Sequence, residues 1–232
     1  MSAPQRPVSP TETIPPLEPG DRLTRAEFER RYQSMAHVKK AELVEGVVYM
    51  PSPVRFDRHG HQHYRLIRWI GLYEGATPGL MGADNTTVRL DLSNEPQPDF
   101  LLMIDPKRGG QANISKDGYI EKAPELVAEI ASSSVSFDLH TKLNVYRRSS
   151  VREYIVWRVA DETIDLFVLE NDDFQPLASE DGILKSRIFP GLWLDPAALI
   201  RDDRLRLTEV VQRGLASPEH REFVQRLQAL AP

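Results

Sequence analysis

One acidic residue inside an apolar run restricts the fold of this chain more than any other feature. In the segment PELVAEIASSS, residues 124–134, Glu129 interrupts a run that is otherwise typical of a strand buried on both faces. The segment PDFLLMI, residues 98–104, has the same apolar character. Because burying an unpaired carboxylate costs on the order of several kcal/mol, we expect Glu129 to have a partner.

The composition narrows the classes of protein to which the chain can belong. Its 232 residues are 41% hydrophobic, enough for a core, and the absence of cysteine excludes disulfides and cysteine-ligated metal centres. No stretch has the length of a membrane span and no signal-peptide pattern is present, so we expect a cytoplasmic protein. The net charge of -5 argues against generic, charge-driven binding of nucleic acids but leaves room for a local basic groove.

The chain divides into three predicted regions. Residues 1–20 contain six prolines and few large apolar residues, which predicts a flexible leader that can be removed without loss of stability. Residues 21–200 are expected to form the main domain. Residues 201–232 are expected to form a C-terminal helical extension.

The predicted elements alternate between helices and strands. Helices are expected over 24–35, 63–74 and 137–148 and after Ser217, with Thr24 and Glu27 at the capping-box spacing. A hairpin or bent strand is expected within 42–51, and residues 109–123 read as a polar surface loop. Strands are expected over 85–92, 98–104, 124–130, 152–159 and 163–170. The fold class is therefore α/β (α+β): a mixed β-sheet flanked by helices, with 98–104 and 124–130 adjacent.

Two acids in the buried strands define a candidate metal site. Asp99 stands at the start of one strand and Glu129 near the end of the next, so the two meet at a sheet edge if these strands are neighbours. Mg²⁺ is typically held by one or two carboxylates together with water and substrate phosphate. Asp138 and Lys142 share a face of the following helix, from which the Lys142 ammonium can steady a hydroxide or a phosphate oxygen.

Each of these residues also has an ordinary structural interpretation. Asp99 is a common strand-start residue, and Asp138 in a first helical turn is explained by the helix dipole. Lys142 can be half of an exposed ion pair with Asp138, and as a partly exposed lysine it should contribute little to stability. His59 and His63 have a spacing that two helical zinc ligands can use, but no further ligand follows them at a suitable interval.

Three segments of the sequence resemble a known family. PDF, APELVAEIASSS and DLHTKLNVYRRSSVREYIVW look like the Uma-two family of restriction-endonuclease-like proteins, part of the PD-(D/E)XK nuclease superfamily, and the resemblance covers about residues 24–195. It implies a mixed sheet flanked by helices and a site for Mg²⁺ or Mn²⁺ held by Asp99 and Glu129. The superfamily lysine position holds Ala131, which makes Lys142 the candidate lysine. Glu45 and His63 resemble a further acid and a histidine of the family.

The sequence therefore favours a metal-dependent DNA endonuclease that hydrolyses phosphodiester bonds, with Asp99, Glu129 and Lys142 as catalytic residues. A homodimer is expected if both strands of a duplex are cut. The alternative is a nuclease-fold protein with weak or no catalytic activity that binds DNA as a regulatory module. The net charge and the missing lysine at residue 131 favour that alternative. A histidine-based zinc hydrolase is a third hypothesis and requires His59 and His63 to converge with an acid.

Overall fold

The computed structural model describes residues 13–50 and 55–230, and within them the predicted mixed sheet is present. The strands are β1 Glu42–Val44, β2 Val47–Tyr49, β3 Leu80–Asp84, β4 Val88–Arg89, β5 Phe100–Ile104, β6 Asn113–Ile114, β7 Ile120–Glu121, β8 Leu126–Ala131, β9 Glu153–Arg158, β10 Thr163–Glu170, β11 Asp173–Pro176, β12 Leu184–Lys185 and β13 Trp193–Leu194. The α-helices are α1 Arg25–Gln33, α2 His61–Glu74, α3 Leu143–Arg148, α4 Pro196–Ile200, α5 Arg204–Leu215 and α6 Pro218–Ala229. Two π-helical turns, Phe56–Gly60 and Phe137–Lys142, lead into α2 and α3, and a 3-10 turn spans Pro106–Arg108.

The central sheet has six strands in the order β11-β10-β9-β8-β5-β3. Its pairs are antiparallel except β8 and β9, which are parallel and joined by the helical crossover that contains α3. Every residue of β5 and β8 is buried, as the continuous apolar runs predicted. The predicted pairing of these two strands is confirmed, with Phe100 opposite Ala128 and Leu102 opposite Leu126.

Successive side chains of β8 point to opposite faces of the sheet, and each face packs against a separate hydrophobic cluster. Leu126, Ala128 and Ile130 face a large cluster that includes Trp69 of α2. Residues 127 and 131 face a second cluster with Tyr146 of α3. Because side chains alternate across a strand, Glu129 belongs to the second face, beside α3. The crossover helix therefore covers the face of the sheet that carries the acid.

The C-terminal helices are built into the same core as the sheet. Leu207 and Val211 of α5 and Phe223 and Leu227 of α6 are buried in the cluster that contains Trp69. As predicted, α6 begins after Ser217, whose side chain accepts a hydrogen bond from the backbone N–H of His220. The tail therefore packs on the domain over its whole length within the described residues.

The N-terminal part of the domain corrects the predicted leader. Residues 1–12 lie outside the described residues, but Leu17 is buried with Phe28, Leu43 and Val48 in a small cluster of its own. The backbone N–H of Gly20 also donates to the carbonyl of Val48. The proline-rich sequence did not predict this contact. One buried apolar residue is enough to anchor an extended segment to a hairpin, and one residue leaves no periodic pattern.

Several element boundaries differ from the prediction. The helix expected from residue 63 begins at His61, after a π-helical turn, and the strand expected over 85–92 is reduced to β4. The two edge strands of the central sheet, β3 and β11, were missed because most of their residues are half-buried or exposed and show no regular apolar pattern. The loop expected over 109–123 contains β6 and β7, which pair with each other.

The hairpin of β1 and β2 is confirmed, with positive φ at Glu45 and Gly46 as a tight turn requires.

Candidate active site

Asp99 and Glu129 come together at one end of the β5–β8 pair. The register that places Phe100 opposite Ala128 places Asp99 opposite Glu129, one residue beyond the last recorded pair. The backbone N–H of Ile130 donates to Asp99 Oδ2 at 2.8 Å, which fixes the aspartate against the Glu129 strand. Both carboxylates line one cleft of about 1200 Å³. The predicted meeting of the two acids is therefore present.

The partners of Glu129 come from the crossover helix. Lys142 Nζ donates to Glu129 Oε1 at 2.8 Å, and the hydroxyl of Tyr146 donates to the same oxygen at 2.8 Å. Lys142 and Tyr146 are four residues apart, so they share a face of the helix that packs on the sheet. Both hydrogen bonds of Glu129 to described residues use Oε1, which leaves Oε2 for the cleft.

Lys142 joins two acids rather than one. Its ammonium also donates to Glu42 Oε1 at 2.9 Å, and Glu42 in turn accepts from the backbone N–H of Gln97 at 2.7 Å. The Lys142 side chain is 4% exposed, so the expectation of a partly exposed lysine with little effect on stability is wrong. Lys142 was also considered as half of a surface ion pair with Asp138. Its ammonium instead forms ion pairs with the carboxylates of Glu42 and Glu129.

Asp99 is held by three donors from three parts of the chain, one of them the Glu129 strand. Besides Ile130, Lys40 Nζ lies 3.4 Å from Oδ1 and His59 Nε2 lies 3.1 Å from Oδ2. His63 Nε2 lies 2.7 Å from the backbone carbonyl of Asp99, so the predicted family histidine contacts the main chain of the site rather than the carboxylate. These contacts fix the aspartate in place and balance its charge.

Asp138 is a buried member of the same group. Its side chain is 3% exposed, lines the cleft and accepts a hydrogen bond from the Ser134 hydroxyl at 2.5 Å. The aspartate thus closes the first turn of the π-helix that carries Lys142. The helix-dipole interpretation explains its position in the turn but not its burial beside other acids.

The acids of the site have opposite pKa shifts. Burial raises the pKa of Glu129 from 4.5 to about 8, against the pull of Lys142 and with further repulsion from Asp99 and Asp138. Burial likewise raises the pKa of Asp138. For Asp99 the donors outweigh burial, so its pKa is well below its usual range. Burial acts to lower the pKa of Lys142, but the surrounding carboxylates outweigh it and keep the lysine charged, with its pKa well above normal.

Glu45, a predicted site acid, lies elsewhere. It occupies the turn of the β1–β2 hairpin, is exposed, and pairs with Arg148 at 2.7 Å on the surface. Glu42, three residues earlier on β1, is the hairpin acid that reaches the cleft. The signal that separates the two is local, because Glu42 begins the strand whereas Glu45 precedes a glycine in the turn.

Sequence reasoning also missed several polar side chains that line or support the cleft. Lys40 follows no recognisable motif, and the hydroxyl of Tyr146 was assigned only to packing. His59 was considered only as a zinc ligand. It does meet an acid, but no group of three or more His, Asp or Glu side chains able to hold a metal ion occurs among the described residues. This absence applies to Mg²⁺ as much as to zinc; what argues against the zinc hypothesis is that His63 contacts the Asp99 carbonyl and does not converge with His59 on the carboxylate.

The donor set fits Mg²⁺ or Mn²⁺ better than zinc. Asp99 and Glu129 supply two carboxylates on one cleft, and an ion of this kind completes its shell with water and substrate phosphate. Four buried acids also face the buried Lys142 and the half-buried Lys40 in this cleft: Glu42, Asp99, Glu129 and Asp138. If all are ionised, two negative charges remain to be balanced, which suits a divalent cation.

Comparison with solved structures identifies the class of fold. The chain is similar to the "Crystal structure of a putative nuclease belonging to DUF820 from Anabaena variabilis ATCC 29413", with 11% sequence identity and a TM-score of 0.57. The match covers 74% of this chain and 97% of that chain. At this identity the likeness shows a shared nuclease fold.

The family follows from the sequence match. The chain belongs to the family described as "Uma2: Putative restriction endonuclease", whose model matches residues 25–197. The predicted family is thus confirmed, and together with the shared fold it supports a nuclease. No significant match was found among curated proteins. Across the described residues, no helix has the length and apolar character needed to cross a membrane.

Proposed function

We propose that the protein is a Mg²⁺- or Mn²⁺-dependent endonuclease that hydrolyses phosphodiester bonds in DNA, with a site of the PD-(D/E)XK type. The observation that carries the proposal is the pairing of Asp99 and Glu129 at one end of two adjacent strands, with a buried lysine beside them. A divalent ion held by these carboxylates would polarise the phosphate and lower the pKa of a bound water.

The residues around the acids have distinct roles in this proposal. Lys142 and Tyr146 both bind Oε1 of Glu129 and so turn Oε2 toward the cleft. The Lys142 ammonium places a fixed positive charge where negative charge grows in the transition state. Lys40 and His59 hold Asp99 in position from the other side. Lys142 thus takes the place of the lysine that is missing at Ala131.

The test compares metal binding and DNA cleavage in matched variants. We expect the wild type to nick supercoiled plasmid with Mg²⁺ or Mn²⁺, and Asp99→Asn and Glu129→Gln to lose Mn²⁺ binding in calorimetry and at least about 10²-fold in rate. Glu125→Gln is the control, because Glu125 is equally buried but accepts only the backbone N–H groups of Ile104 and Gln111. If Glu129→Gln binds Mn²⁺ and cleaves like the wild type, the assignment is wrong.

The runner-up is a nuclease-fold module that binds DNA without cleaving it. One observation favours it: Glu129 and Asp99 already have protein donors, so the site can persist with its carboxylates paired to Lys142, Lys40 and His59. DNA binding without cleavage in either metal would establish this alternative. A cytoplasmic location and a homodimer with two cutting sites stay predictions.

A further inference from the structure

Two exposed aromatic rings lie on the segment that forms one wall of the cleft. Phe56 is 75% exposed and Tyr64 is 60% exposed, and no other aromatic side chain of the described residues is classed as exposed. The Phe56 ring packs against His61 with centroids 5.1 Å apart, and Arg68 lies 6.0 Å from the Tyr64 ring. Large rings left in water commonly mark an interaction surface.

The same segment connects these rings to the acids. The π-helical turn Phe56–Gly60 contributes Arg58 and His59 to the lining of the cleft, and Arg55 lines it from just before the turn. His59 contacts the Asp99 carboxylate at 3.1 Å. The turn thus places the exposed Phe56 ring within three residues of Arg58 and His59, which line the cleft.

The local charge suits a polyanion although the whole chain is acidic. Residues 55–68 carry four arginines and one aspartate, against a net charge of -5 for the protein. Asp202 engages Arg65 and Arg68 from the turn between α4 and α5, whereas the ion pair of Arg58 within the described residues is a long contact with Asp57 at 3.9 Å. Arg55 and Arg58 thus present positive charge at the cleft, which is the charge complementarity that a phosphate backbone requires.

We propose, on the basis of the proposed nuclease function, that Phe56 and Tyr64 form a stacking surface for unpaired bases of the strand to be cut. Stacking on an aromatic face tolerates any base, but a base that is paired inside a duplex is already stacked on its neighbours. Basic groups that track the backbone beside aromatic rings are the usual combination for single-stranded nucleic acid. The preferred substrate is therefore DNA with a single-stranded segment rather than a blunt duplex.

The experiment measures binding without cleavage. Fluorescence anisotropy with a labelled oligo(dT) and with a blunt duplex of equal length is carried out in EDTA. We expect the wild type to favour the single strand, and Phe56→Ala with Tyr64→Ala to weaken that binding about tenfold or more while leaving duplex binding unchanged. Leu92→Ala is the matched control, because Leu92 is as exposed as Phe56, at 76%, but lies outside the segment 55–68 that carries both rings. Melting temperatures of all variants confirm that they fold.

The outcomes separate this inference from the proposed function. Plasmid cleavage by the wild type, combined with equal oligo(dT) binding by the double variant and the wild type, would overturn the stacking surface and leave the nuclease in place. Loss of single-strand binding in the double variant of a protein that never cleaves would support the surface and refute the nuclease. A wild type that binds neither oligonucleotide would overturn the stacking surface.

Discussion

Replacing Lys142 by methionine tests whether the buried lysine balances the acids of the cleft. The ammonium lies 2.8 Å from Glu129 and 2.9 Å from Glu42, with both partners buried. Removing one partner of a buried ion pair typically costs about 3–5 kcal/mol, because the remaining charge has no compensation. We therefore expect Lys142→Met to lower the free energy of unfolding by about that amount at about pH 9.5, where Glu129 is ionised in the wild type, equivalent to a loss of about 10 °C or more in melting temperature for a domain of this size.

The pKa of Glu129 determines whether the stability of the protein rises or falls with pH. The pKa of Glu129 is about 8 in the folded protein against an ordinary 4.5, so the folded state binds more protons between these values and stability falls as pH rises through that window. Without Lys142 the folded pKa rises further, because the ammonium is what opposes the effect of burial. The destabilisation should therefore be smaller at about pH 6.5, where Glu129 is protonated in both proteins, and larger at about pH 9.5, where the wild type has ionised this carboxylate beside Lys142.

Urea denaturation followed by tryptophan fluorescence at about pH 6.5 and about pH 9.5 measures both effects. Lys185→Met is the control, since its ion pair with Glu180 is exposed and such pairs contribute about 0–1 kcal/mol. Adding Glu129→Gln to Lys142→Met should recover part of the loss, because it removes the unpaired charge. A loss below about 1 kcal/mol at about pH 9.5, or an equal loss at both pH values, would refute the reasoning.

Three further predictions test the packing around the site. Leu17→Ala should cost about 2–5 kcal/mol in a urea titration, because Leu17 is buried against Phe28 and Leu43, and a truncation that starts at residue 13 should cost much less. Phe223→Ala should cost about 3–5 kcal/mol in the same assay, since α6 packs on the main core, and an effect below about 1 kcal/mol would make the tail a separate unit. Tyr146→Phe should cost about 1–2 kcal/mol by removing the hydroxyl that donates to Glu129, and unchanged stability would show that Lys142 alone satisfies that oxygen.

The strands that frame the site could be predicted because their sequence carries a strong signal. PDFLLMI and ELVAEIA are continuous apolar runs, and both became fully buried strands at the centre of the sheet. The edge strand β3 carries no such signal, because half-exposed residues at a sheet edge need not alternate. Leu17 was missed for a related reason, since one buried side chain in a proline-rich segment leaves no periodic pattern.

The predictable part of the site was the part fixed by neighbouring strands. Asp99 and Glu129 follow from the register of β5 and β8, and Lys142 from the helix that directly follows β8. Glu42 and Lys40 come from a distant hairpin and the segment before it, and nothing in a single sequence reports that the hairpin packs on this sheet. Glu45 was chosen over Glu42 although it precedes a glycine in the turn, because the contact of Glu42 with Lys142 could not be seen in the sequence.

Burial alone does not mark the acids of the proposed site. Glu125 and Glu153 are as buried as Glu129, but their oxygens accept backbone N–H groups or the Ser186 hydroxyl. Glu129 instead faces three other carboxylates across a cleft, an arrangement that burial and mutual repulsion make costly. A fold that only needed to satisfy one acid would use backbone donors, as it does for Glu125. Like charges gathered around one lysine are what a site for a cation and a phosphate requires, and this contrast separates Glu129 from the structural glutamates.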